Sequence, residues 1–130
     1  MDKNKLNISN IEAYLDSLLG NKVSANVFFD TLPPVIKDSW KDLLLVDCSY
    51  LIRDLSAYGF GTIAIWLYAK PMPSGAKNVP VLSKMETALN EILFSNENPA
   101  YQLIRRGTRS GYDSTAKLHY NIVEIQILTA

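Results

Sequence analysis

The 130-residue sequence predicts one α+β domain over residues 1–130: a mostly antiparallel sheet of four to five strands, two helices on one face and a long C-terminal β-hairpin. Three observations predict it. Two amphipathic stretches with helix-start signals stand far apart in the chain, one from Ser9 and one around Pro80. Apolar and alternating runs of strand length fill much of the remainder. Their order is helix, strands, helix, strands, without the strict β-α-β alternation of a doubly wound parallel sheet.

The first helix is marked by Ser9-Asn10-Ile11-Glu12, a capping box in which serine and glutamate satisfy orphan backbone donors. Ile11, Tyr14, Leu15, Leu18 and Leu19 follow at helical spacing, and Gly20 stands where a left-handed terminating residue belongs. Val23 to Phe29 reads as a short strand that ends at the turn Leu32-Pro33-Pro34, where paired prolines forbid regular structure. Val35 to Trp40 is loop or a single turn. Leu43 to Cys48 is an apolar run bounded by Asp42, expected as a strand buried on both faces. Ser49 to Tyr58 connects it to Gly59-Phe60-Gly61, a bend or bulge opening the strongest strand, Thr62 to Ala69.

Lys70-Pro71-Met72-Pro73-Ser74-Gly75 ends that strand. The second helix starts with either Ser83-Lys84-Met85-Glu86 as a capping box or Asn78 as the cap with Pro80 in the first turn. Leu82, Met85, Leu89, Ile92 and Leu93 make its apolar stripe. Tyr101 to Arg106 reads as a strand, Gly107 to Ser114 as a polar loop, and Leu118 to Leu128 as the final strand of a hairpin.

Composition narrows the function classes. Thirteen basic and thirteen acidic residues cancel, which argues against a chain held to nucleic acid or anionic membrane by bulk charge. One Cys excludes an intrachain disulfide, and one Cys plus one His excludes a His/Cys-rich zinc site. The longest apolar segment, Phe60 to Ala69, is half of what a bilayer-crossing helix needs, and no signal-peptide pattern precedes it, so synthesis in the cytoplasm is expected.

No residue set spells out catalysis, and no catalytic, cofactor-binding or metal residues are expected. Gly59-Phe60-Gly61 opens a strand where a phosphate loop would open a helix. Asp38, Asp42, Asp47 and Asp54 fit no calcium-loop spacing, and Gln126 stands where a nuclease pattern after Glu124 would want lysine. His119 lacks an orienting carboxylate in sequence, and Cys48 is expected as a buried structural thiol.

Two features point instead to contacts with other molecules. Arg105, Arg106, Arg109 and Lys117, interleaved with Tyr101, Tyr112 and Tyr120, suit either a neighbouring subunit or a nucleic acid backbone. Along Thr62 to Ala69 both faces are apolar or aromatic. With helices over one, the Trp66/Tyr68 side needs cover, either from more of the same chain or from another subunit, and a second copy of the chain is the expected one.

Leu32-Pro33-Pro34, Trp40-Lys41-Asp42 leading into Leu43 to Val46, Ala57-Tyr58-Gly59-Phe60-Gly61-Thr62-Ile63-Ala64-Ile65 and Tyr68-Ala69-Lys70 carry a resemblance. With a helix after the long strand and a last strand from Val123 to Thr129, the chain resembles the tail terminator and tail-completion proteins of the neck of long-tailed phages. The resemblance implies a non-enzymatic virion subunit forming a ring, typically a hexamer. Such a ring caps the tail tube, joins it to the head connector and lets DNA through its lumen. It also implies that the Pro71 to Asn78 loop and the Thr108 to Lys117 hairpin tip meet neighbouring proteins. A small oligomeric nucleic-acid-binding module using the arginine-rich hairpin is the alternative.

Overall fold

The computed structural model describes residues 8–48, 60–95 and 101–129. In chain order these form α1 (Ile8–Leu19), β1 (Val27–Phe29), β2 (Asp42–Asp47), β3 (Phe60–Ala69), α2 (Val79–Ser95), β4 (Tyr101–Asp113) and β5 (Leu118–Thr129). The strands make one five-stranded sheet in the order β1-β2-β3-β5-β4. Only the three-residue β1 runs parallel to its neighbour; the other pairs are antiparallel. The expected Ser49 to Tyr58 connection, Asp54 and the Ala57 to Gly59 part of the resemblance lie outside the described residues.

Both helices pack on one side of the sheet, because their apolar stripes match the odd-numbered residues of β3 and β5. Ile11, Leu15 and Leu19 of α1 and Leu82, Met85 and Leu89 of α2 are buried against Ile63, Ile65, Leu67, Val123, Ile125 and Ile127. Tyr14 stacks on Tyr101 with ring centroids 4.8 Å apart, tying α1 to the first residue of β4. Leu43, Leu44, Leu45 and Val46 are all buried, as expected of a strand covered on both faces.

Local signals hold in part. Asn78 caps α2: its Oδ1 accepts the Val81 N–H at 3.3 Å, with Pro80 in the first turn. In α1, however, Ser9 lies inside the helix, which already begins at Ile8, so it is not the capping residue. The left-handed conformation after the helix passes from Gly20 to Asn21 (φ 62°), whose N–H reaches the Ser24 carbonyl at 3.1 Å. Gly61 sits in regular register opposite Ile127, and the bulge falls in β4 at Arg106 instead.

The largest local difference concerns the hairpin. The polar stretch from Gly107 is strand as far as Asp113, paired residue by residue with β5, and the turn is only Ser114–Lys117. Polar composition marked an exposed edge strand here, not a loop. The turn is closed by Asp113, whose carboxylate accepts the N–H groups of Thr115 (2.9 Å) and Ala116 (3.0 Å), with Lys117 left-handed at φ 57°.

Part of the cover over the Trp66/Tyr68 side comes from the chain itself. A parallel β1–β2 pair requires a crossover, and residues 30–41 supply it without a helix. Leu32, Ile36 and Trp40 of that crossover, with Ala116 of the hairpin turn, pack on Leu43, Leu45, Tyr68 and Leu118. Tyr68 is consequently only 3% exposed. Trp66 stacks on Tyr68 at 5.9 Å, and Tyr120 closes on both, at 4.9 Å from Trp66 and 5.8 Å from Tyr68. The crossover and the hairpin turn thus bury Tyr68, while Trp66 and Tyr120 stay half-buried.

Candidate assembly interface

Eight residues carry the interface expectation, and the fold sorts them into three groups. Trp66, Tyr68 and Tyr120 belong to one intrachain aromatic cluster, in which Tyr68 is buried and Trp66 and Tyr120 are half-buried. Burial also pushes the Tyr68 hydroxyl well above its ordinary ionisation range, with Asp113, Tyr120 and Asp47 adding to the rise. The indole Nε1 of Trp66 is buried with no acceptor among the described residues.

Arg105, Arg106 and Arg109 do not form one patch, because the bulge at Arg106 and the pleat divide them between the two sides of the sheet. Arg105 lies opposite Ile125 on the helix side, where its guanidinium donates to Glu86 and Asn90 of α2 and to Thr108 Oγ1 at 2.6 Å. Arg109 pairs with Glu124 at 3.0 Å on the opposite side. There Arg106 Nε donates to Gln126 Oε1 at 2.9 Å. A continuous cationic track for a phosphate backbone is not built from these side chains.

Tyr112 and Lys117 form the third group, at the far end of the hairpin. Tyr112 is 49% exposed, with its ring 4.7 Å from that of His119. His119 Nε2 lies 3.4 Å from the Gly75 carbonyl. Lys77 Nζ donates to Asn121 Oδ1 at 3.0 Å, and Ser110 Oγ donates to the same oxygen at 2.8 Å. These bonds hold the 71–78 loop against the hairpin. The loop is itself shaped by a turn in which Met72 N–H reaches the Ala76 carbonyl (2.9 Å), and Gly75 adopts φ 86°, a value that suits glycine. Two segments separated by thirty-odd residues thus share one end of the molecule. Met72 (43% exposed) and Val79 (54%) add apolar surface on the loop side.

A second surface was not expected from the sequence. Between the C-terminal half of α2 and the start of β4 lies an open groove of about 610 Å³, lined by Asn90, Glu91, Leu93, Phe94, Leu103, Ile104 and Arg105. Phe94 is 95% exposed on its rim, and β4 is an edge strand of the sheet. The signal was present in Ile92-Leu93-Phe94, one apolar residue more than the helix stripe can bury.

The remaining candidates behave as structural groups. Cys48 is fully buried, and burial, with the carboxylates of Glu12, Asp30 and Asp47, pushes its thiol up to about 12, far from a nucleophile's range. Asp42 accepts the Ser24 hydroxyl at 2.6 Å, and Asp30 Oδ1 accepts the Cys48 N–H at 3.4 Å. Among the described residues no group of three or more His, Cys, Asp or Glu is arranged to hold a metal ion, and no helix is long and apolar enough to cross a membrane. Compared with family models, curated proteins and solved structures, the chain matches none.

Proposed function

We propose that this chain is a non-enzymatic structural subunit that acts by assembling with copies of itself and with neighbouring proteins. The finer form of the reading is the one its sequence resemblance implies: a phage or prophage neck subunit whose ring caps a tail tube and joins it to the head connector, with DNA passing through the lumen. One observation carries the reading. The 71–78 loop and the far end of the hairpin, the two segments that the resemblance implies at contacts, are bonded to each other. Together they expose Met72 and Tyr112, with Val79 beside them at the start of α2. Exposed aromatic and methionine side chains on a tethered platform are what protein interfaces are enriched in.

Light scattering of the purified chain at micromolar concentration, with and without tail-tube protein, tests this. A ring-sized species in either condition is the expected result. A chain that stays at 14.6 kDa in both overturns the reading.

A further inference from the structure

We infer that copies of this chain meet head to tail, the Phe94 groove of one copy receiving the Tyr112 end of the next. The inference rests on the self-assembly proposed above and names its two surfaces. Strand β4 and helix α2 lie side by side in opposite directions, since Glu86 pairs with Arg105 while Phe94 and Leu103 share the groove. The groove therefore sits at the end of α2 and the start of β4. Val79 and Tyr112 belong to the opposite end of the same pair. Nine residues of strand separate Leu103 from Tyr112, about 30 Å at about 3.3 Å per residue.

Two different surfaces at opposite ends of a subunit propagate an assembly, or close it into a ring if the rotation permits, whereas a twofold contact pairs one surface with itself. The chemistry of the two ends is complementary. The groove is an apolar slot with an exposed carboxylate, Glu91, that has no ion-pair partner among the described residues. The other end offers the half-exposed Tyr112 ring. On the same end are Lys77, whose amine donates to the neutral Asn121 amide, and Lys117; neither has a carboxylate partner among the described residues. Asp113, the acid at that end, is occupied by the amides of its own turn. The middle of β4 argues against the competing arrangement, two β4 edges zipped side by side. That would bring Arg106, which meets the neutral Gln126 amide rather than a carboxylate, close to its copy on the adjacent strand.

Phe94→Glu removes the groove's aromatic rim, and Tyr112→Glu replaces the inserted ring with a carboxylate that would face Glu91. Phe94 is nearly fully exposed, so the first variant keeps the fold, and Met72→Glu stands in for the second if its melting temperature falls. Sedimentation velocity is the measurement. The wild type is expected to exceed a dimer, each variant alone to run as a 14.6 kDa monomer, and their equimolar mixture to give a one-to-one dimer of twice that mass. In that mixture one intact groove meets one intact end. If both variants assemble like the wild type, if the mixture stays monomeric, or if the wild type stops at a closed dimer, the head-to-tail contact is overturned while self-assembly stands. A wild type that is monomeric throughout removes both.

Discussion

Tyr120 lays its ring over Gly111, its register partner across β5 and β4, in the space a side chain would take. A Cβ at position 111 would lie 2.6 Å from the Cζ of Tyr120, closer than any real contact. The ring cannot swing away freely, because Trp66 and Tyr68 hold it from the other side. The glycine that reads as loop punctuation is the end of a row, Leu43, Tyr68, Tyr120 and Gly111, crossing four strands. Gly111→Ala is therefore expected to cost about 1–3 kcal/mol by overpacking. In a Tyr120→Leu background the same change costs clearly less. Equal costs in the two backgrounds, from urea unfolding, would show that the ring is not the obstacle.

The crossover roof predicts a second outcome. Trp40 packs on Phe28 with ring centroids 5.4 Å apart and belongs to the cover over Leu43 and Tyr68. Trp40→Ala is expected to lose about 2–3 kcal/mol, below the full cost of truncating a wholly buried tryptophan because Trp40 is only partly buried. Binding of a hydrophobic dye to the folded variant above the wild-type level reports the uncovered aromatic side. A variant as stable as the wild type would mean that residues 30–41 contribute little to the roof.

Trp66 carries a buried indole N–H without an acceptor among the described residues, a group that costs about 1–3 kcal/mol to leave unpaired. Trp66→Phe removes that donor while keeping most of the ring, and its stability is expected within about 1 kcal/mol of the wild type. A loss as large as that of Trp66→Ala, measured by the same denaturation, would contradict this.

Alkaline pH should weaken the fold through Cys48. In the folded chain its thiol keeps its proton up to about 12, against an ordinary value of 9.0. Between those values the unfolded chain has released the proton and the folded chain has not, so stability falls as pH rises. The contribution is complete below pH 9.0. Tyr68 acts in the same direction, its ionisation also raised above the ordinary 10.0. Urea midpoints measured on either side of that window check the slope, which Cys48→Ala is expected to flatten. The same burial predicts that a thiol reagent labels Cys48 only at the rate of unfolding.

Much of this architecture was legible. The α1 and α2 stripes, the doubly buried β2 and the long β3 followed from periodicity, since each element is covered in the way its pattern advertises. The Asn78 cap was one of two readings, and spacing alone does not choose between overlapping start signals. Two kinds of information were not local. The strand character of Gly107 to Asp113 depends on pairing with β5 rather than on composition. Likewise, the cover over Tyr68 comes from a loop whose course is dictated by the parallel pairing of β1, which no single segment records. The interface suffered most from this. Arg105, Arg106 and Arg109 are neighbours in sequence, yet a bulge and a pleat send them to different partners. The Phe94 groove forms only when α2 lies beside β4.

The parallel placement of β1 also sets a minimum span for the segment between it and β2. Phe29 is level with Val46, so the chain must travel back along β2 to begin again at Asp42, passing over the aromatic side on the way. Residues 30–41 therefore serve two ends at once, returning the chain to the start of β2 and laying Leu32, Ile36 and Trp40 over the aromatic side, so a deletion within them would loosen the roof and the fifth strand together.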